Sequence, residues 1–147
     1  MILLLAGGPL FAQEEFTKEQ AQGVVDTFFE GFHSGDTTVM RSVMAPNMIS
    51  QTVFKDKQGN HRIVEGNPDE FLKAIADRPA DQKWTEKLLS YAVQIDGNLA
   101  NVWTPYEFYL NDGFSHCGAN QFTLAQTNEG WKIVHLIDSR RRSTCNN

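Results

Sequence analysis

Tyr106, His116 and Asn120 are the polar side chains best placed to do chemistry together, because aromatic and β-branched runs surround each of them. Side chains alternate between two faces along an extended strand, so each run divides into two sets. Ala100, Val102, Thr104, Tyr106, Phe108 and Leu110 form one set, and the apolar majority marks it as the inward one. In the next run His116, Gly118, Asn120, Phe122 and Leu124 share a face, inward by the same argument. An imidazole, with an unperturbed pKa of about 6.5, can act as a general base near neutrality. A tyrosine hydroxyl or an asparagine amide can donate to a developing oxyanion. His116 is therefore the leading candidate catalytic residue, with Asp138 as the alternative base and Asp138 and His135 both held in reserve for the pocket. Tyr106, His116, Asn120 and Phe108 are the candidate pocket residues, joined by Phe28 and Phe32 from a helix. The competing reading of His116 is a rim histidine satisfied by solvent.

The last run leaves its inner face open. Trp131, Ile133, His135 and Ile137 alternate with Lys132, Val134, Leu136 and Asp138, and both sets carry apolar residues. A β-bulge would exchange them.

Several chemistries are disfavoured. His33, His61, His116 and His135 never fall at ligand spacing on one element, so no metal is expected. There is no glycine-rich phosphate loop and no nucleophile elbow, and no cofactor is expected. Asp26 and Glu30 lie four apart, opposite the apolar face of their helix, and read as a solvated stripe. A net charge of -5 argues against a nucleic-acid surface. The run Arg140-Arg141-Arg142 reads as a solvated chain end.

The elements that must position these residues are legible in order. Thr17 and Gln20 form a capping box before a helix over Lys18–His33, whose Ala21, Val24, Val25, Phe28, Phe29 and Phe32 make one apolar face. Gly35 suits a left-handed cap, and Asp36 or Thr37 can start a second helix over Thr38–Met44 with Val39, Val43 and Met44 inward, closed by Pro46. Met48–Phe54 and His61–Val64 read as a short hairpin. Asn67-Pro68-Asp69-Glu70 begins a third helix that runs to Asp77. Four strands then follow as an antiparallel meander: Trp84–Ile95, Leu99–Leu110, Ser115–Gln126 and Trp131–Ile137. Asp96-Gly97-Asn98, Asn111-Asp112-Gly113 and Thr127-Asn128-Glu129-Gly130 punctuate them. A helix presenting three phenylalanines needs a large apolar partner, and the sheet supplies it.

At 147 residues the chain has the length of one domain. Residues 1–12 read as a secretory signal peptide: Met1–Ala6 is apolar, Gly7-Gly8-Pro9 breaks it, and Ala12 offers a cleavage site, although a positive n-region is lacking. Residues 13–147 then form a single domain with a short C-terminal tail, secreted or periplasmic. The leader is too short to span a bilayer, and no membrane partner is expected. An oxidising compartment would permit Cys117 and Cys145 to pair and staple the tail to the sheet; two unpaired thiols are the alternative.

Val24-Val25-Asp26-Thr27-Phe28-Phe29-Glu30-Gly31-Phe32, followed by Ser34-Gly35-Asp36, resembles the opening of nuclear transport factor 2-like domains, and Gly130-Trp131-Lys132-Ile133-Val134 resembles their ending. Tyr106-Glu107-Phe108-Tyr109, Cys117-Gly118 and Phe122-Thr123-Leu124 are similar to the putative lumazine-binding branch, related to SnoaL-like cyclases. The resemblance spans roughly residues 15–138. It implies an α+β roll: a cone in which a strongly curved, mainly antiparallel sheet wraps three N-terminal helices, with a cavity at the open end.

Fold does not fix function in such a family, and two expectations follow. The first is a non-catalytic secreted domain binding a small apolar or aromatic molecule in its cone. The second is a cofactor-independent lyase, isomerase or cyclase with His116 or Asp138 as base. Related enzymes set an Asp or His base beside Tyr or acid donors. Met48–Phe54 carries no Asp or Glu, so ketosteroid isomerase's base has no evident counterpart here. Trp103, Glu107 and Tyr109 fall on the outer sheet face, where a second copy of the chain is the expected partner.

Overall fold

The computed structural model describes residues 15–145; the expected signal peptide, residues 1–12, lies outside the described residues. Helix α1 (Lys18–Ser34) starts on the expected capping box, with Thr17 and Gln20 each accepting the other's backbone N–H. It ends on Gly35 in the left-handed conformation, φ 78°. Helix α2 (Thr37–Val43) is capped by Asp36, which accepts from the Thr38 and Val39 amides. The expected end at Met44 is corrected: Met44 already opens strand β1 (Met44–Lys55), and Pro46 lies inside that strand. Met40, which the spacing did not single out, is the fully buried residue of α2. Helix α3 (Pro68–Ala76) begins on Asn67, whose side chain accepts from the Asp69 and Glu70 amides.

The remaining strands are β2 (His61–Gly66), β3 (Trp84–Leu88), β4 (Ala92–Asp96), β5 (Leu99–Leu110), β6 (Gly113–Thr127) and β7 (Gly130–Arg141). They form one sheet in the order β2-β1-β7-β6-β5-β3, with β4 also paired to β5. Only the β1–β7 pairing is parallel. This is the expected α+β roll, three helices on an open, curled, mainly antiparallel sheet.

One expected strand, Trp84–Ile95, is two. Leu88 pairs with Tyr106 and Ala92 with Trp103, so three residues bridge a gap opposite Thr104-Pro105. Pro105 has no N–H to give to the ladder, and the Leu89 amide donates to its carbonyl at 2.9 Å instead. The β5–β6 turn also differs in detail: Asn111 and Asp112 take the positive φ angles, 50° and 64°. That two-residue pair makes the type I′ turn, and Gly113 already pairs with Leu110.

The inner faces of β5 and β6 are as the alternation predicts: Ala100, Val102, Thr104, Tyr106, His116, Asn120, Phe122 and Leu124 are all buried. In β7 a bulge resolves the ambiguity. Leu124 pairs with Ile133 but Thr123 with His135, leaving Val134 unpaired. Ile133 therefore faces the core, and beyond the bulge Leu136, Asp138 and Arg140 take that face. Val25, Phe28, Phe29 and Phe32 of α1 fill the core, with Phe28 and Phe29 meeting Phe122 edge-on at 5.7 and 6.0 Å. Each such buried side chain contributes roughly 1.5–3 kcal/mol.

Candidate functional site

The helices do not fill the curl of the sheet completely. Beyond Phe122 they leave a cavity of about 550 Å³. Phe28, Phe29 and Phe32 of α1 and Phe71 of α3 line it on the helical side; Trp84 and Phe108 extend the aromatic wall along β3 and β5. The aromatic rings follow from the helical spacing of α1 and from strand alternation, so the sequence places them together before any polar contact forms.

The polar groups gather on the opposite wall because strand register lines them up. Asn120 of β6 pairs with Asp138 of β7, which pairs with Thr52 of β1. On the next rung Tyr106 pairs with Gly118, and Gly118 with Arg140. Asp138 collects donors on both oxygens: Thr52 Oγ1 donates to Oδ1 at 2.6 Å, and the Tyr106 hydroxyl to Oδ2 at 3.1 Å. Arg140 Nη2 lies 3.4 Å from the same Oδ2. The Tyr106 hydroxyl also lies 3.2 Å from the Ser139 carbonyl. Burial, then the charges of Asp138 and Glu86, hold that phenol protonated far above its ordinary pKa.

Gly118 makes this arrangement possible. A Cβ there would fall 1.7 Å from the Ser139 carbonyl oxygen and 3.0 Å from Tyr106 Cε1. The Ser139 backbone carbonyl occupies the space a side chain would take, with the Tyr106 ring packed close beside it.

Glu86 is the second carboxyl of the cavity. It is half-buried on β3 in the cavity wall, and Asn120 Nδ2 donates to its Oε1 at 2.6 Å. Burial, chiefly, and the nearby Asp138 charge push it up to about 7, against the opposing pull of Asn120 and Arg140. Near neutrality Glu86 is thus divided between a proton donor and a proton acceptor. His33 fixes its backbone, accepting the Glu86 N–H on Nε2 at 3.0 Å, and burial lowers the pKa of His33.

The remaining expected residues fall as follows. His116 lines the cavity, stacked on Phe108 at 4.8 Å and edge-on to Tyr106 at 5.9 Å. Burial, followed by the charges of Arg140 and Arg142, brings it down to about 4, so its ring is neutral at physiological pH. Its Nδ1 is 3.0 Å from Ser115 Oγ. Phe28, Phe32, Phe108, Asn120 and Asp138 reach the cavity wall; Tyr106 lies behind it, 1 % exposed, and acts on the cavity through Asp138. The bulge turns His135 away to meet Gln51 Oε1 at 3.1 Å. Trp103, Glu107 and Tyr109 occupy the other face of the sheet, where the Tyr109 hydroxyl donates to Glu107 at 2.8 Å. Asp26 is not merely solvated, since the Tyr91 hydroxyl donates to it.

Sequence reasoning missed Glu86 and Arg140. Within Trp84-Thr85-Glu86-Lys87-Leu88 the two-residue period sets the carboxyl on the same face as Trp84 and Leu88, and that alternation is the signal that points to Glu86. The arginine run is exposed, as expected, but it is not all beyond the fold: β7 continues to Arg141, and Arg140 follows Leu136 and Asp138 onto the cavity face. The cysteine alternative is also settled, because Cys117 and Cys145 form a disulfide with Cα atoms 5.8 Å apart.

With this geometry established, the chain can be compared with known proteins. A profile of the family described as Putative lumazine-binding matches residues 17–136. The fold is similar to that of a nuclear transport factor 2-like protein of unknown function from Shewanella baltica, at 17 % identity and a TM-score of 0.58, covering 88 % of this chain and all of that one. A Nostoc punctiforme protein with a cystatin-like fold is similar at 12 % identity and a TM-score of 0.65, over 88 % of this chain and 97 % of its own. A Streptomyces avermitilis protein described as a "putative dehydratase" from the nuclear transport factor 2-like family is similar at 18 % identity and a TM-score of 0.62, over 84 % and 94 % of the two chains. No functionally curated protein matches.

Proposed function

The chain belongs to the Putative lumazine-binding family of nuclear transport factor 2-like domains, and on that premise we propose that its cavity binds a small aromatic molecule. One observation carries the reading: an aromatic cavity of about 550 Å³ with a few convergent polar groups on a single wall. Such a site buries a flat apolar body against Phe32, Phe108 and Trp84, and orients it through Glu86, Asn120 and Asp138. Native mass spectrometry of protein purified from an exporting host tests it. A mass that falls on denaturation by that of a small organic molecule is the expected result. If the protein is empty and no aromatic probe shifts its mass, the reading fails. The same spectrum reads the homodimer we propose across the outer face, where Trp103 is 46 % exposed.

Glu86 favours a second reading, cofactor-independent lyase, isomerase or cyclase chemistry. An acid–base group works best with a pKa near the operating pH, and Glu86 at about 7 meets that condition better than His116 at about 4. Asp138 already has donors on both oxygens. On this reading Glu86 moves the proton while Asn120 positions it. Turnover of a small carbonyl compound that Glu86→Gln abolishes would support it; turnover indifferent to that substitution would remove Glu86 from the chemistry.

A further inference from the structure

The cavity adjoins a groove lined by many basic side chains, and the two share Thr52 and Arg140 in their walls. Phe54 and Val64 supply apolar surface in that groove, and five of the chain's 13 lysines and arginines line it: Lys55, Lys57, Arg140, Arg141 and Arg142. The concentration is notable in a chain of net charge -5. The groove's one acid, Asp56, is engaged by Arg62 at 2.9 Å and by the Asn60 and Gln58 amides. Lys55, Lys57 and Arg142 form no ion pair among the described residues.

This basic wall is built into the fold. Arg140 and Arg141 belong to β7, and the segment after them is held by the Cys117–Cys145 disulfide and by Arg141 Nε donating to the Thr144 carbonyl at 3.2 Å. A solvated tail would need neither tie. Arg140 keeps a long contact with Asp138 at 3.4 Å, whereas Lys55, Lys57, Arg141 and Arg142 have no acid partner among the described residues, so an anionic occupant would meet uncompensated positive charge.

From this juxtaposition we infer that the ligand of the cavity is an anionic amphiphile: its aromatic body lies among Phe32, Phe108 and Trp84, and a carboxylate- or sulfonate-type group emerges at the mouth onto Arg140, Arg142 and Lys57. The inference rests on the binding function proposed above and adds the charge of the ligand. A small molecule fits better than an acidic protein, because Arg140 lines the aromatic cavity and the basic groove at once.

Two probes of one skeleton separate the inference from the reading beneath it. N-phenyl-1-naphthylamine is neutral, and 8-anilino-1-naphthalenesulfonate adds one sulfonate. Calorimetric titration of the folded, disulfide-bonded protein is expected to show both binding, the sulfonate about tenfold more tightly. Raising salt from about 0.05 to about 0.5 M should erase that advantage while leaving the neutral probe's affinity in place. The double variant Lys57→Gln/Arg142→Gln, which changes only the rim, should bring the affinity ratio of the two probes close to unity. Equal affinities in the unmodified protein would overturn the anionic ligand and leave the aromatic cavity standing. Failure of both probes to bind would overturn the cavity reading itself, and the inference with it. A sulfonate advantage undiminished by both salt and the double variant would also overturn the inference, since Lys57 and Arg142 would then contribute nothing to it.

Discussion

Two neighbouring residues of the cavity respond to pH in opposite senses. Glu86 has its folded pKa raised from 4.5 to about 7, so the stability it contributes is complete below 4.5 and is lost as pH rises through about 7. His116 is depressed from 6.5 to about 4: its contribution is present above 6.5 and is lost as pH falls toward 4. Glu86→Gln isolates the first effect, because the amide keeps an acceptor for Asn120 and carries no charge at any pH. Urea unfolding is expected to find the variant more stable than the wild type by about 2 kcal/mol near pH 8, with the gap closing near pH 4. A gap of constant size across that range would mean that Glu86 does not hold a proton in the fold.

Within an element, the cost of a glycine depends on what faces it. Gly23 lies exposed in the middle of α1 with nothing within 4 Å of an added Cβ, whereas Gly118 in β6 has the Ser139 carbonyl oxygen at 1.7 Å. Gly23→Ala should stabilise by about 0.5–1 kcal/mol through helix propensity. Gly118→Ala should destabilise by about 3 kcal/mol, because either β7 or Tyr106 must move. Thermal unfolding of the two variants reads both signs. Gly118→Ala should also loosen the Tyr106–Asp138 contact and weaken probe binding in the cavity, which Gly23→Ala should not. A harmless Gly118→Ala would show that β6 and β7 are further apart than described.

For the molecule as a whole, the Cys117–Cys145 bridge closes a loop with a sequence separation of 28 and ties the chain end to the middle of the sheet. The chain-entropy account gives such a closure about 3 kcal/mol. Cys145→Ser should lower stability by about that amount, and reducing the wild type with dithiothreitol should reproduce the loss. If reduction leaves the unfolding midpoint unchanged, the bridge does not form in solution. A disulfide of this kind persists in oxidising compartments, which supports the proposal that the protein is exported.

The three helices, their caps, the hairpins and the inward faces of β5 and β6 were written in the sequence, because each depends on local periodicity and turn chemistry. Thr17 with Gln20, Asn67 with Pro68, and the aromatic spacing of α1 needed no distant partner to be recognised. The tertiary structure decided what depends on pairing between distant segments. Pro105 split β3 from β4 only because β5 lies opposite them, and the unpaired Val134 exchanged His135 for Asp138 on the inner face. Glu86 acquired its raised pKa chiefly from burial against elements far along the chain, and then from the charge of Asp138. Arg140 became part of a cavity mouth only once β7 found β1 and β6 on either side of it. Local pattern specifies which face a residue takes within its own strand; strand register, set by the whole sheet, specifies which charges meet there.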